Sequence, residues 1–399
     1  MTPPLSLYVH LPWCVRKCPY CDFNSHTAGG AADKQRYLDA LVRDIQQEGA
    51  RAGERLVESV FFGGGTPSYF DAREIGRLLE AIASSLRLAT GVEVTMEANP
   101  GTVERDRLAD YRRAGVNRLS LGAQSFDDES LRRLGRIHGS EEIRNAFGDA
   151  VKAGFTSVNI DLMYALPGQT LETARLDIER AIALGPQHIS WYQLTLEPNT
   201  VFHARPPSDL PDEELAWAIE EQGYELWAAA GYERYETSAF AKPGHRCRHN
   251  LNYWEFGDYL AAGAGAHGKF TDDDGSIWRY RKPPNPSSYM QKFESGTLDV
   301  PKQRLLPRDI AFEFMLNALR LTRGFKKKQF TGRTGLPLSL VLPGVARAES
   351  LGLLWCGVGE DGESLVVPTA HGRRFLNDLQ ALFLPEPAAA QAAPAQAMP

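Results

Sequence analysis

A partial (β/α)6 barrel of the α/β class, followed by a small, mainly helical C-terminal domain, is the fold that three observations in this 399-residue sequence predict. Short β-like runs alternate with amphipathic stretches six times over roughly the first 230 residues, which implies parallel strands joined by helical crossovers. Polar or glycine residues recur at the C-terminal ends of those runs, so successive units aim chemistry at one rim, the face on which such barrels act. Beyond about residue 200 the alternation weakens, and helical patterns return from about 305. An open doubly wound sheet shares the periodicity and is not excluded by it.

The runs, in order, are Ser6 to Leu11, Ser59 to Gly64, Glu93 to Asn99, Arg118 to Ala123, Ser157 to Tyr164 and His188 to Thr195. Between the first two, Tyr37, Leu38, Leu41, Val42 and Ile45 recur at helical spacing, and after the second Ile75, Leu78, Leu79, Ile82 and Leu86 do the same. Further helices are expected at about 104–114, 140–153 and 171–184. Another runs from Asp212 to Ala230, begun after Pro211 and stopped at Gly231. Residues 241–300, rich in Gly, Asn, Pro and Tyr, read as loops with short strands. The expected organisation is a barrel over 1–235, a connecting segment over 236–304, a small domain over 305–384 and a disordered tail over 385–399, PEPAAAQAAPAQAMP.

Lys and Arg number 44 against 50 Asp and Glu, a net charge of -6, and 43% of residues are apolar. Without a basic block the chain is a poor sequence-independent nucleic-acid binder, which needs clustered cations to displace counterions. The first residues carry no basic n-region or cleavage site, and no run of about 18 apolar residues occurs, so the expected location is the cytoplasm. Lys326 to Lys328 offers a contact to an acidic partner or, peripherally, to a membrane surface, although a solvated face is the simpler reading.

Of five cysteines, Cys14, Cys18 and Cys21 fall within eight residues, while Cys247 and Cys356 stand far away. This is a ligand set rather than a disulfide framework. Three thiolates are one short of a closed tetrahedral zinc site, which would recruit His26 or His10. They suffice for a 4Fe-4S cluster with one open iron, able to accept a small chelating molecule. Gly63-Gly64-Gly65-Thr66-Pro67 after the next run lets backbone approach a ligand without a Cβ in the way. It is no phosphate loop, because no Gly-Lys-Ser/Thr follows.

Together, CxxxCxxC and the glycine run resemble the radical S-adenosylmethionine (SAM) enzymes. The resemblance implies that SAM chelates the open iron and is reductively cleaved to methionine and a 5′-deoxyadenosyl radical, with electrons from a separate donor. LYVHLPWC, FFGGGTPS, TMEANPGT, NRLSLGAQSFDDESLRRLGRIH, NIDLMYALPGQT and HNLNYW narrow it to the branch holding oxygen-independent coproporphyrinogen III oxidases and their heme-chaperone relatives. By that resemblance Tyr8 and Tyr20 flank the cluster and SAM, and Gly64, Gly65 and Thr66 hold the methionine moiety. Glu97 meets the SAM amino group, and Gln124, Arg136 and Asp161 meet its remaining polar groups. The charges suit these roles: Glu97 toward an ammonium, Arg136 toward a carboxylate, Asp161 toward hydroxyls.

Two departures from the oxidase pattern stand out. It has a fourth cysteine two residues after the third, where this chain reads Cys21-Asp22-Phe23, and it has an extended segment before the first strand, which here starts about five residues in. His249-Asn250-Leu251-Asn252-Tyr253-Trp254 matches the HNxxYW motif of the chaperones, which implies heme ligation by His249. From the six residues alone, a hydrogen-bonded core histidine is the favoured reading and a metal site through His245, Cys247 and His249 another; the resemblance is what turns the reading to heme ligation. Three functions follow in order: a heme chaperone passing heme to acceptors such as respiratory cytochromes; a coproporphyrinogen III oxidase in porphyrin biosynthesis; and a zinc-stabilised binding module. Under the first, the chain is a radical SAM-type protein without oxidase activity, and no catalytic residue is assigned. The roles of Cys247 and His267 stay open.

Overall fold

The computed structural model describes residues 2–27, 29–102, 105–297 and 300–385, in two compact units that meet in sequence at Arg304 and Leu305. The first unit carries the six expected parallel strands: β1 (Leu5–Leu11), β2 (Leu56–Gly64), β3 (Arg87–Ala98), β4 (Arg118–Gln124), β5 (Ser157–Tyr164) and β6 (His188–Gln193). Each pairs in parallel with the next in sequence. The crossovers carry α1 (Ala31–Ala52), α2 (Ala72–Ser85), α3 (Arg105–Ala114), α4 (Asp128–Arg133), α5 (Ser140–Lys152) and α6 (Leu171–Leu184), with α7 (Glu213–Ala229) after β6.

Helix ends fall where the sequence marks them. Asp71 caps α2 through the Arg73 and Glu74 amides, with Glu74 returning to the Asp71 amide, and Gly185 closes α6 with φ 73°.

The sheet does not close. Beyond β6 it continues through β7 (Glu233–Glu236) and β8 (Ala239–Ala241), in which β8 lies antiparallel between β6 and β7. Beyond β1 it continues through β9 (Asp258–Ala262), parallel to β1, and then the antiparallel β10 (His267–Thr271), β11 (Ile277–Arg281) and β12 (Lys302–Arg304). The residues expected as a loop-rich connection therefore extend both edges of the barrel sheet. Between those edges, α8 (Arg248–Trp254) packs against β1, β2 and β9.

Period-2 alternation divides each barrel strand. Leu5, Leu7, Val9 and Leu11 of β1, Val60 and Phe62 of β2, and Leu119 and Leu121 of β4 join the apolar core under the helices. The alternate residues line the lumen and are mostly polar: Tyr8, Thr95, Glu97, Arg118, Ser120, Asn159, Asp161, His188 and Ser190. A small-to-medium polar lumen replaces the packed branched aliphatics usual in eight-stranded barrels. On the β9 side, buried Lys282 bonds both Asp44 and Glu48 of α1, and Tyr289 of α9 (Pro286–Glu294) donates to Asp44.

The second unit runs α10 (Pro307–Ala318), β13 (Phe325–Lys326), α11 (Lys327–Thr334), α12 (Leu342–Ser350), β14 (Leu354–Val358), β15 (Ser364–Pro368), α13 (Ala370–Arg374) and α14 (Leu376–Ala381). Its antiparallel sheet has the order β13-β15-β14, so the helix–strand–helix–helix–strand–strand succession is that of a winged helix. Lys326 and Lys328 pair with Asp361 and Glu363 in the β14–β15 turn. The tail expected over 385–399 lies outside the described residues except for Pro385.

Candidate functional site

The C-terminal ends of the barrel strands surround a cavity of about 460 Å³. Its wall includes Cys14, Cys18, Tyr20 and Cys21 from the loop after β1, Gly64, Gly65 and Thr66 at the end of β2, Glu97 near the end of β3, Gln124 at the end of β4, Arg136 after α4, and Asp161 of β5. Eleven residues singled out in the sequence are thus brought to one place; Tyr8 and His249 are not.

All three cysteines are free thiols, and among the described residues no three His, Cys, Asp or Glu side chains are gathered round a single metal position. Burial raises the Cys14 and Cys21 thiols above the ordinary value. Donors nevertheless face the sulfurs: Thr66 Oγ1 at 3.5 Å from Cys14 Sγ, and an Arg136 guanidinium nitrogen at 3.5 Å from Cys18 Sγ. Such donors favour thiolate, and a bound iron cluster would supply the remaining positive charge. His10 is committed at both ring nitrogens, to Tyr8 Oη at 3.0 Å and the Asn24 carbonyl at 2.9 Å, and His26 bonds Asn24 Oδ1 at 3.2 Å.

The glycine run forms a cradle that side chains would fill. Gly64 has φ 117°, and a Cβ there would lie 2.4 Å from the His10 ring; one on Gly65 would lie 2.7 Å from the Pro12 carbonyl carbon. Gly65 and Thr66 amides donate to the Leu11 and Trp13 carbonyls, both at 2.8 Å, latching the turn across the end of β1. The Gly64 amide donates to Glu97 Oε2 at 3.1 Å.

Burial, reinforced by the nearby Asp161, pushes the Glu97 carboxyl up to about 8. Asp161 is itself raised by burial, and accepts from Ser120 Oγ at 3.0 Å and Asn159 Nδ2 at 2.7 Å. Gln124 sits at φ 72° where the β4–β5 register shifts, an uncommon conformation for a residue with a side chain. Its Oε1 accepts from Tyr192 Oη at 2.9 Å. Arg136 donates to the Gly122 carbonyl at 2.9 Å, while its buried Nε has no partner. A half-committed guanidinium beside thiols and an acid–amide pair fits a ligand that brings an ammonium, a carboxylate and hydroxyls.

Tyr8 lines a second, lower chamber of about 270 Å³, which shares Glu97, Ser120, Asp161, Ser190 and Asn250 with the rim cavity. The lower chamber also holds His249, which is 1% exposed. Ser59 Oγ lies 2.9 Å from its Nδ1 and Tyr253 Oη 3.2 Å from its Nε2, and burial lowers its pKa to about 3. With both nitrogens engaged in a chamber this small, a porphyrin does not fit at His249 with α8 in place. Cys247 is a buried thiol raised to about 12, its Sγ 3.7 Å from Glu93 Oε1, and His267 begins β10 opposite Arg281. Sequence reasoning passed over Arg118, Ser120, Asn159, His188, Ser190 and Tyr192. Their signal was the polar alternate residues inside otherwise aliphatic strands.

Comparison with known proteins shows the family of the chain. Residues 8–181 match the radical SAM superfamily and residues 305–375 the HemN C-terminal domain. The heme chaperone HemW of Escherichia coli K12 is 49% identical over 385 residues, covering 96% of this chain and 99% of the relative. The heme chaperone HemW of Bacillus subtilis is 32% identical over 389 residues, with the same coverage. Among solved structures, the radical SAM enzyme coproporphyrinogen III oxidase (HemN) from E. coli superposes with a TM-score of 0.81 at 26% identity, covering 96% of this chain and 90% of that one.

Proposed function

Because the chain belongs to the HemW family of heme chaperones within the radical SAM superfamily, we propose that it binds heme and passes it to acceptor proteins such as respiratory cytochromes. It carries a 4Fe-4S cluster and SAM in the rim cavity. The observation that supports this most is the convergence of three cysteines, the glycine cradle, Glu97, Gln124, Arg136 and Asp161 on one cavity, in a chain that covers 99% of its HemW relatives.

In this reading Cys14, Cys18 and Cys21 each hold one iron and leave one open. Gly64, Gly65 and Thr66 hold the methionine part of SAM, Glu97 takes its ammonium, Arg136 its carboxylate, and Gln124 and Asp161 its hydroxyl-bearing end. Tyr20 screens the cluster from the rim, and Tyr8 supports the cradle from below through His10. The bound cluster and SAM supply one-electron chemistry that regulates the heme cycle. An electron donor is required.

Heme is the group that the lower chamber does not fit, so its ligand is tested directly. Added hemin should form a stable complex with a Soret band and pass to an apo-hemoprotein. Tyr253→Phe uncovers the His249 Nε2. If that imidazole is the ligand, hemin binding speeds up in this variant and the band changes in His249→Ala. If both variants match wild type, heme sits elsewhere. Coproporphyrinogen III with SAM and a reductant should yield no protoporphyrinogen IX; appreciable product would reverse the assignment.

A further inference from the structure

The lower chamber has no occupant in the function just described, and three of its features point to one. Arg118, at the start of β4, is 3% exposed, and its Nη1 donates only to neutral groups, Ser157 Oγ at 2.6 Å and the His245 carbonyl at 3.2 Å. It forms no ion pair among the described residues, whereas the fully buried cations elsewhere in this unit do: Lys269 with Asp258, and Lys282 with Asp44 and Glu48. A buried guanidinium without an anion is costly, and it faces a cavity. Thr95, 1% exposed and on the same wall, has a hydroxyl with no hydrogen-bond partner. The chamber also opens upward, sharing wall residues with the rim cavity.

We propose that the lower chamber binds a small monocarboxylate, its anion held on Arg118 and its other end directed up toward the rim cavity. About 270 Å³ is the share of roughly nine waters, too little for a tetrapyrrole. The acids at the upper end form no salt bridge with Arg118, although Asp161 lies within electrostatic reach of it. Glu97 keeps its proton up to about pH 8, and Asp161 turns its oxygens to Ser120 and Asn159. Entry is through the rim cavity, so a ligand bound there closes the chamber; this last point rests on the SAM reading, the Arg118 site does not.

The test uses the anaerobically reconstituted full chain and butyrate labelled with ¹³C at the carboxyl, followed by NMR line width. The expected result is saturable binding, at least about tenfold weaker in Arg118→Met, partly recovered in Arg118→Lys, and with exchange slowed when SAM is added after butyrate. No saturable binding to wild type, or equal binding by folded Arg118→Met, overturns the site. So does competitive displacement by SAM accompanied by loss of butyrate in Arg136→Ala, which would put butyrate in the rim cavity. Should Arg118→Met fail to fold, wild-type saturation and the effect of SAM on exchange decide. If butyrate binds through Arg118 while SAM binds nowhere, the chamber stands and the SAM reading falls.

Discussion

Glu97 sits under two opposing demands. It is a buried carboxyl whose proton stays on up to about pH 8, so in the window between the ordinary carboxyl value and that pH the unfolded chain has released a proton that the folded chain still holds. Over that window Glu97 subtracts progressively from stability as pH rises. To form an ion pair with an ammonium it must lose the proton. SAM affinity should therefore climb as pH rises toward about 8, and Glu97→Gln should bind weakly with a flat profile; calorimetric titration across pH checks both. Gly64 makes a sharper prediction. At φ 117°, with His10 where a Cβ would go, Gly64→Ala incurs about 1–3 kcal/mol of backbone strain before any clash. It should lose SAM binding and melt lower than wild type. Cys18→Ala should leave two protein ligands and no stable cluster, read as iron and sulfide content.

At the level of elements, the edge strands are tied to the barrel by buried charge. Lys282 follows β11 and reaches Asp44 and Glu48 of α1, with Tyr280 and Tyr289 donating to the same carboxylates. Lys282→Met would leave Asp44 without a cation in a dry interior and Glu48 with Arg51 at 3.6 Å, at a cost of about 3–5 kcal/mol in denaturant unfolding. That cost should shrink as pH falls and Asp44 takes up a proton, since burial already raises its carboxyl. The six barrel strands were legible as short β-like runs, several of which, such as Leu5–Leu11 and 157–162, alternate apolar with polar residues; α6 was found over 171–184 because its stripe, cap and terminal glycine agree. Short strands were expected among the loops of 241–300, but the pairing of β9 and its neighbours with the barrel sheet was not legible. The stretch Asp258–Ala262 is short and ends in alanines, and its partner β1 lies some 250 residues earlier, so nothing local marks the pairing. The same distance hid the floor of the barrel: that His249 would meet Ser59 depends on α8 crossing under β1 and β2.

Across the whole molecule, the odd cysteine count resolves into three thiols on one cavity, a buried thiol beside Glu93 and a half-buried one on β14. The second unit is a winged-helix arrangement whose basic run is answered by its own acidic turn, so replacing Lys326 and Lys328 with alanine should leave the melting temperature within error of wild type. No helix among the described residues is long and apolar enough to cross a membrane. The site residues were legible where a motif fixed both type and spacing, as for the cysteines and glycines. Arg118 was not, since a lone arginine opening a strand reads as surface until the lumen closes around it. The central claim is that the three thiolates leave one iron open and that SAM takes it. Electron paramagnetic resonance of the anaerobically reconstituted, reduced protein, with and without SAM, tests this most directly. The account predicts a 4Fe-4S signal that shifts when SAM is added and is absent in Cys18→Ala. A signal indifferent to SAM, or zinc without sulfide, would contradict it.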